Sequence, residues 1–344
     1  TGLELLRLLS QHPHFVVRSV TARSAAGKRL AEVFPQLAVS ATSNIDPHLF
    51  IDAEPGQTDL AFVCLPHAAA AEAVLSLLER GTKVVDLSAD FRLRDAALYE
   101  EWYKHMHPAP ALLETAVYGL CERYRERIEG ASLVANPGCY ATAAILGLMP
   151  ALAAGIIGPD IIIDGKSGVS GAGRSLTLGT HYAEINEDVS AYSLSGHRHL
   201  PEITQELQAA ALAGGHPVGD SLRVTFIPHL IPMTRGILAT CYADLNFDAA
   251  HPILTTAEMR SLYQEYYAHE PFVHVVDQPP HTKWTYGNNS CLLYPVVDTR
   301  TRRLLVISCL DNLVKGAAGQ AIQNANRLYG VAEATGLNTM PPYP

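Results

Sequence analysis

The sequence lacks long hydrophobic runs, blocks of like charge and a basic, apolar leader. Apolar runs such as the one from Ala68 to Leu78 are interrupted by Glu72, and each is shorter than the ~20 residues of a transmembrane helix. Charged residues make up 17% of the 344 residues, and the net charge of −9 forms no tail. A nucleic-acid partner would need a basic patch, which is missing. We therefore expect a cytoplasmic protein that binds neither membranes nor nucleic acid.

The sequence also lacks the Cys-x-x-Cys and His-x-x-x-His spacings that are typical of zinc sites, so we expect no metal. Its six cysteines, in a long chain without a secretion signal, do not predict a disulfide framework. Four of them lie in apolar or β-branched segments, where cysteine is usually a small buried hydrophobe. We expect these four to be inert core residues: Cys64, Cys241, Cys291 and Cys309.

The first half of the chain alternates strand-like and helix-like segments, a pattern that predicts a parallel sheet with crossover helices. The predicted strands are residues 15–21, 59–65, 82–87 and 132–135, and the predicted helices are 29–34, 68–80 and 140–154. Beyond residue 160 the strands are longer and have fewer helices between them, which indicates a mixed sheet and a second domain. Thr255 and Glu258 have the spacing of a capping box, and a last helix over 315–329 should pack back on the first domain.

The chain opens with an amphipathic helix, residues 3–9, that follows Gly2 directly. In a dinucleotide-binding domain, a strand and a glycine-rich turn precede such a helix and hold the pyrophosphate at its N-terminus. We therefore expect this chain to be a fragment that lacks the strand and most of the turn. Gly2 would then be the last glycine of the turn.

Cys139 is the predicted nucleophile, because it follows Asn136-Pro137-Gly138 at a turn between a strand and a helix. The partial positive charge of a helix N-terminus lowers a thiol pKa, and its free amides can receive an oxyanion. The alternative is a cysteine that only caps the helix. A thiolate also needs a proton donor or acceptor, and His197 and His199 offer two imidazoles on one side of an extended, exposed loop. The residues do not decide between these two.

Three other segments combine hydroxyls, cations and glycines in a way that suits anions. Residues 166–174 have a composition that can surround an anion with backbone amides and a guanidinium. Ser88 and Arg92 follow a parallel strand, where ligands bind in open α/β sheets. Arg23 and Ser24 follow the first strand, where NADP-binding domains hold the 2′-phosphate, and they favour NADP over NAD. In each case the alternative is a solvated loop.

The segment from Val134 to Ala143, V-A-N-P-G-C-Y-A-T-A, resembles the cysteine signature of the N-acetyl-gamma-glutamyl-phosphate reductases. The similarity continues through residues 196–202, 228–236 and 311–317. It implies an α/β fold like that of aspartate-semialdehyde dehydrogenase. A Rossmann-like NADP-binding domain would comprise residues 1–138 with 313–344, and an α+β catalytic and dimerisation domain with a mixed sheet would comprise residues 139–312.

The resemblance implies that the Cys139 thiolate attacks an acyl phosphate, that NADPH reduces the resulting thioester, and that His197 or His199 moves the protons. It implies substrate or phosphate contacts at Ser88, Arg92, Asn136, Ser170 and Arg174, and cofactor contacts at Gly2, Arg23, Ser24, Pro66, Gly171 and Asn312. It further implies a small-molecule substrate and a homodimer or homotetramer. Two alternatives stay open: a reductase of aspartyl or carrier-bound aminoadipyl phosphate, and an inactive NADP-binding module.

Overall fold

The computed structural model describes residues 1–39, 44–67, 69–246 and 254–342. The α-helices are α1 (Gly2–Leu9), α2 (Leu30–Val33), α3 (Ala71–Glu79), α4 (Ala96–Tyr103), α5 (Pro110–Thr115), α6 (Cys121–Glu129), α7 (Cys139–Ala153), α8 (Tyr182–Ile185), α9 (His199–Ala213), α10 (Thr256–Tyr266) and α11 (Gly319–Leu328). The β-strands are β1 (Val20–Thr21), β2 (Ile51–Asp52), β3 (Leu60–Val63), β4 (Lys83–Asp86), β5 (Val117–Tyr118), β6 (Leu133–Ala135), β7 (Ile157–Gly168), β8 (Ser190–Ala191), β9 (Arg223–Ile231), β10 (Ile237–Leu245), β11 (Val273–Val275), β12 (Cys291–Asp298) and β13 (Arg303–Leu310).

The first half forms parallel sheets, as the alternating pattern predicts. Four strands pair in the order β3-β4-β6-β5, and β1 pairs with β2 in a separate parallel sheet. The predicted helix over 68–80 is confirmed from Ala71 to Glu79, and Gly81 follows it with a φ of +77°. Ala68 itself lies outside the described residues. Parallel strands end at one edge of the sheet, so the loops after β3, β4 and β6 are placed on the same side.

The predicted strand over 15–21 is wrong for most of its length, because only Val20 and Thr21 pair with β2. Phe15 instead stacks on the buried ring of His12 at a centroid distance of 4.3 Å, and its backbone N–H donates to His12 Nδ1. A side chain has thus taken the backbone donor that a strand would have needed. The β-branched composition of the segment carried no sign of this contact.

The second half forms a seven-stranded mixed sheet with the order β11-β12-β13-β10-β7-β9-β8. β7 pairs with β9 in parallel and with β10 antiparallel, so the predicted mixed sheet is confirmed. Helix α7 packs on β10, β13 and β7, and its residues 140–152 are all buried. A helix that is apolar on every side belongs in a core. The predicted capping box of Thr255 and Glu258 is present at the start of α10.

The chain after β13 returns to the parallel sheet, as predicted, although it is not one continuous α-helix. A π-helical turn, Val314–Ala318, comes first, and α11 then packs against α6, β4 and α1. One apolar cluster runs from α1 and β4 through α7 to β13 and α11, so both sheets share a core. No helix in the described part of the chain is long and apolar enough to cross a membrane.

Three of the four cysteines that we expected in the core are buried, namely Cys241, Cys291 and Cys309. The prediction is wrong for Cys64, whose side chain is exposed. Cys64 directly follows the last residue of β3, where the chain leaves the sheet toward Pro66. The apolar residues of this segment therefore extend two residues beyond the end of β3, through Cys64 and Leu65.

Candidate active site

Cys139 lies at the turn that the sequence predicts. Strand β6 ends at Ala135, and the Asn136 N–H donates to the Asp86 carbonyl of the neighbouring strand at 2.8 Å. Gly138 is the N-cap residue of α7, and Cys139 is the first residue of that helix. The thiol is half-buried at the carboxyl edge of the parallel sheet, between the two halves of the molecule.

The expected lowering of the thiol pKa by the helix N-terminus is present but is outweighed by burial. Burial raises the pKa of Cys139 to about 11. The backbone N–H of Tyr140 and the positive charge of Arg92 act in the opposite direction but are outweighed. Desolvation depends on tertiary packing around the thiol, which the local sequence does not describe. The resting protein therefore holds Cys139 as a thiol at neutral pH.

Glu202 is the residue that holds the cysteine turn, and we did not predict it from the sequence. Its Oε1 accepts hydrogen bonds from the Gly138 N–H at 2.8 Å and from the Tyr118 hydroxyl at 2.7 Å. Its Oε2 pairs with Arg92 at 3.3 Å, and the Glu202 side chain is 1% exposed. Glu202 stands three residues after His199 on α9, so both face the same side. That three-residue spacing was the one signal in the sequence that could have identified Glu202.

His197 and His199 come together beside the cysteine turn, with ring centroids 4.7 Å apart. The expected extended loop is wrong, because His199 is the first residue of α9. A Cβ added to Gly138 would lie 2.4 Å from His199 Nε2, so this ring packs directly on the turn. The His199 backbone N–H donates to His197 Nδ1 at 3.1 Å. The neutral His197 ring therefore carries its proton on Nε2.

Both imidazoles are held neutral. Burial, the Arg198 charge and His67 lower the pKa of His197 to about 4, and burial places the pKa of His199 well below its ordinary value. Both side chains are only partly exposed. The site thus combines a thiol with a neutral N–H donor, which can protonate an oxyanion that forms nearby.

The predicted phosphate contacts divide into two groups. Asn136, Ser88 and Arg92 lie around the cysteine turn but already have protein partners. Arg92 Nε donates to the Asn136 carbonyl at 2.8 Å, and the Ser88 hydroxyl donates to Asp86 at 2.7 Å. Ser88 and Arg92 are both buried, so they lie below the surface of the site.

Ser170 and Arg174 lie apart from that group. The Ser170 hydroxyl accepts a hydrogen bond of 3.0 Å from Asn312 Nδ2, and Asn312 Oδ1 accepts the Gly236 N–H. Arg174 is exposed, and its guanidinium carbon lies 5.8 Å from the centroid of the Phe34 ring. Phe34 directly follows α2, so the Arg174 guanidinium lies near the first part of the chain.

The predicted cofactor residues occupy two places. Four of them are exposed near carboxyl ends of parallel strands: Gly2 at the start of α1, Arg23 and Ser24 after β1, and Pro66 after β3. Arg23 pairs with Glu54 on the surface at 2.8 Å.

Gly171 lies with Asn312, since an added Cβ would be 3.8 Å from Asn312 Nδ2. The space above Gly2 is open within 4 Å, and the first-turn amides of α1 are available to an anion. These residues fit a dinucleotide. No group of three or more His, Cys, Asp or Glu side chains in the described ranges could hold a metal.

Known proteins are similar to this chain over most of its length. Residues 1–131 match the family model for the semialdehyde dehydrogenase NAD binding domain, and residues 139–312 match the model for the semialdehyde dehydrogenase dimerisation domain. An N-acetyl-gamma-glutamyl-phosphate reductase from Dehalococcoides mccartyi is 52% identical over all of this chain and 96% of its own length. One from Heliobacterium modesticaldum is 48% identical over all of this chain and 97% of its own length.

Solved structures show the same fold at low identity. Aspartate semialdehyde dehydrogenase II from Vibrio cholerae superposes with a TM-score of 0.68 at 16% identity, covering 96% of this chain and 95% of that one. Aspartate semialdehyde dehydrogenase with NADP from Candida albicans gives 0.67 at 18%, covering 95% of each chain. The sequence matches extend across the cysteine turn and both sheets, and the chain therefore belongs to the N-acetyl-gamma-glutamyl-phosphate reductase family of semialdehyde dehydrogenases.

Proposed function

We propose that this chain reduces N-acetyl-gamma-glutamyl phosphate to N-acetyl-L-glutamate 5-semialdehyde and phosphate, a step of arginine biosynthesis that uses NADPH. The observation that carries the proposal is Cys139 at the N-terminus of α7, beside a neutral imidazole pair, in a chain about half identical to reductases of that name. The aspartate semialdehyde dehydrogenases named above share the fold at 16% and 18% identity, far below the 52% of the reductase from Dehalococcoides mccartyi. An inactive module would have no use for a thiol and two imidazoles arranged together.

Cys139 acts as the nucleophile. Its sulfur forms a bond to the acyl carbon, and the thiol proton passes to the departing phosphate. The phosphate leaves with the electrons of the broken carbon–oxygen bond, which gives a thioester. NADPH supplies a hydride to the thioester carbon when it is bound. The thiohemiacetal then collapses, the carbon–sulfur bond breaks, and the aldehyde leaves with Cys139 restored. The amide groups at the start of α7 face the oxygen on which negative charge develops.

His197 transfers the protons in this proposal. Its Nε2 carries hydrogen because Nδ1 is occupied by the His199 N–H, so it can donate to the oxyanion. The same nitrogen accepts a proton when the thiohemiacetal hydroxyl ionises. His199 packs on Gly138 and keeps the turn in place. Arg92, buried beside the thiol, favours the thiolate electrostatically once substrate enters.

Binding of substrate and cofactor is assigned to the residues already placed. We assign Ser88, Arg92, Asn136, Ser170 and Arg174 to substrate and phosphate, and Gly2, Arg23, Ser24, Pro66, Gly171 and Asn312 to the cofactor. The exposed Arg23 and Ser24 after β1 support NADP over NAD, because a guanidinium and a hydroxyl suit a 2′-phosphate. The contacts of α11 with β4 and α6 support a cofactor domain of residues 1–138 with 313–344 and a catalytic domain of residues 139–312.

The homodimer or homotetramer is proposed to form through the outer face of the seven-stranded sheet. Ile162, Tyr242, Leu305 and Val296 lie side by side across four strands and stay partly or largely exposed, opposite the face that α7 covers. An apolar sheet face of this breadth is suited to a second copy of the chain. Analytical ultracentrifugation should give at least two copies per particle, and Tyr242→Lys should release monomers. Monomers before substitution would contradict this assignment.

The activity is tested by phosphate-dependent reduction of NADP with N-acetylglutamate semialdehyde. The assay uses this chain and a version with a strand and glycine-rich turn added before Thr1, each with NADP and with NAD. We expect a preference for NADP, and a loss of turnover by about 10⁴-fold or more in Cys139→Ser with unchanged thermal unfolding. The matched control is Cys291→Ser, whose sulfur lies in the core of the seven-stranded sheet at 3.4 Å from the Ser308 hydroxyl, and which should keep its turnover. Folded protein without turnover in both versions would refute the substrate assignment.

The free state of all six cysteines supports a cytoplasmic location.

A further inference from the structure

The π-helical turn Val314–Ala318 lies directly against the nucleophile. A Cβ added to Gly316 would lie 2.7 Å from the Cβ of Cys139 and 3.2 Å from its Cα. The Ala317 carbonyl in the same turn accepts a hydrogen bond of 3.1 Å from Asn136 Nδ2. The turn therefore contacts Cys139 itself and the residue that begins the cysteine loop. Single π-helical turns are rare and often lie at functional sites.

Lys315 ties this turn to the rest of the molecule through a buried ion pair. Its Nζ lies 2.5 Å from Glu122 Oε1 on α6 and 2.8 Å from Gln323 Oε1 on α11. The side chains of Lys315 and Glu122 are both 0% exposed. Gln323 Nε2 donates to the same Glu122 oxygen at 3.2 Å. The Lys315 ammonium therefore connects the π-helical turn to α6 and α11 at one point.

Stability alone is a weak reason for such a pair. Removing two charges from water costs several kcal/mol per ion, and replacing a buried pair by neutral groups of similar shape is often harmless. Glu122 Oε2 is buried and has no hydrogen-bond partner among the described residues, so the carboxylate is only half satisfied. The ion pair does fix the position of the π-helical turn, because Lys315 and Gly316 are neighbours on the turn that contacts Cys139.

We propose that Lys315 is a positioning residue, whose ion pair with Glu122 holds the π-helical turn against Cys139 and so sets where the thiol lies. The turnover readout of this proposal rests on the function proposed above. Alkylation of Cys139 by iodoacetamide does not rest on that function, since it reports the thiol without any substrate. The two readouts therefore separate a failure of positioning from a failure of the substrate assignment.

The first test uses the double variant Lys315→Met with Glu122→Gln, which removes both charges at similar shape. We expect the variant to fold and its kcat to fall on the order of tenfold to a hundredfold, with the KM for NADPH little changed, because a thiol displaced by about 1 Å loses that much. Alkylation should become several-fold faster, because a loosened turn admits water to the thiol. Slower turnover together with faster alkylation is not the result of simple destabilisation.

The second test changes the contact between Gly316 and Cys139 and leaves the ion pair of Lys315 and Glu122 intact. Gly316→Ala pushes a methyl group against Cys139 and should reproduce the loss of kcat. Tyr263→Phe is the matched control, since it removes a buried hydrogen bond of 2.8 Å to the Gly147 carbonyl elsewhere on α7. It should lower stability and leave kcat and the alkylation rate of the folded protein as they were.

Two results would overturn the proposal. One is a folded double variant with wild-type kcat and wild-type alkylation. The other is a double variant that behaves like Tyr263→Phe, with activity falling only as the folded fraction falls. If alkylation changes as expected while the unsubstituted protein has no turnover, the positioning role stands and the substrate assignment is refuted.

Discussion

At the scale of the residue, the thiol of Cys139 is governed by two opposing influences. The start of α7 and the charge of Arg92 favour the thiolate, whereas burial favours the thiol and prevails. Entry of an anionic substrate changes the solvation on which this balance depends. In the resting protein Cys139, the proposed nucleophile, is therefore protected from side reactions of a thiolate.

This balance predicts how Cys139 reacts with iodoacetamide in the absence of substrate. Only the thiolate reacts, and the pKa of Cys139 is raised to about 11. The alkylation rate should therefore rise about tenfold for each pH unit from pH 7 to pH 10, without a plateau. Peptide mapping by mass spectrometry identifies the modified cysteine, and Cys139→Ser supplies the background from Cys64. A plateau near pH 7 would show that the helix N-terminus lowers the pKa of Cys139 by more than burial raises it.

At the scale of the element, α7 and α9 lie side by side and bring the site together. Helix α7 provides Cys139, and α9 provides His199 and Glu202. The two helices also meet at their other ends, where an added Cβ on Gly214 would lie 1.9 Å from the Ala153 carbonyl oxygen. The spacing of this pair of helices is therefore fixed at both ends.

Gly214→Ala should separate the C-terminal ends of these helices, because the carbonyl that it meets is backbone and cannot turn away. We expect a loss of about 2–4 kcal/mol in the free energy of unfolding, measured by urea denaturation. Gly130→Ala is the matched control, since nothing lies within 4 Å of its added Cβ and its φ is −91°. The control should change stability by no more than about 0.5 kcal/mol. Equal effects at the two positions would contradict the close contact.

At the scale of the whole molecule, partly or fully buried imidazoles make stability depend on pH. The pKa values of His12 and His199 are lowered mainly by burial, and that of His197 is lowered to about 4. In the unfolded chain, histidine takes up its proton near pH 6.5. The unfolded state therefore binds more protons, and stability falls as pH decreases from about 6.5 toward about 4. Asp86, whose pKa burial raises to about 6, acts in the opposite sense.

The urea midpoint should therefore fall between pH 7.5 and pH 5, because the six imidazoles with a lowered pKa outnumber the three carboxyl groups with a raised one in the described part of the chain. His12→Asn should make that fall shallower, since each such histidine contributes at most about 1.4 kcal/mol per pH unit. His48→Asn is the control, because His48 is exposed, and it should leave the slope unchanged. A midpoint that is constant or rises on acidification would contradict the neutral buried state of these rings.

The sequence by itself determined the alternating strands and helices of the first half, the mixed sheet of the second half, and the turn that carries Cys139, the proposed nucleophile. Hydrophobic periodicity marked the strands on either side of residue 150, and the turn before Cys139 is a local motif. The capping box at Thr255 is likewise local, since its two partners are three residues apart. Such features follow from the sequence because all of the interacting atoms belong to one short segment.

Only the tertiary structure decided how the site is solvated and held. Glu202 meets Gly138 across 64 residues, and Lys315 meets Glu122 across 193. The raised pKa of Cys139 and the exposure of Cys64 likewise depend on what packs around each sulfur. Burial is a property of the assembled core, to which distant segments contribute, and no window of the sequence contains it.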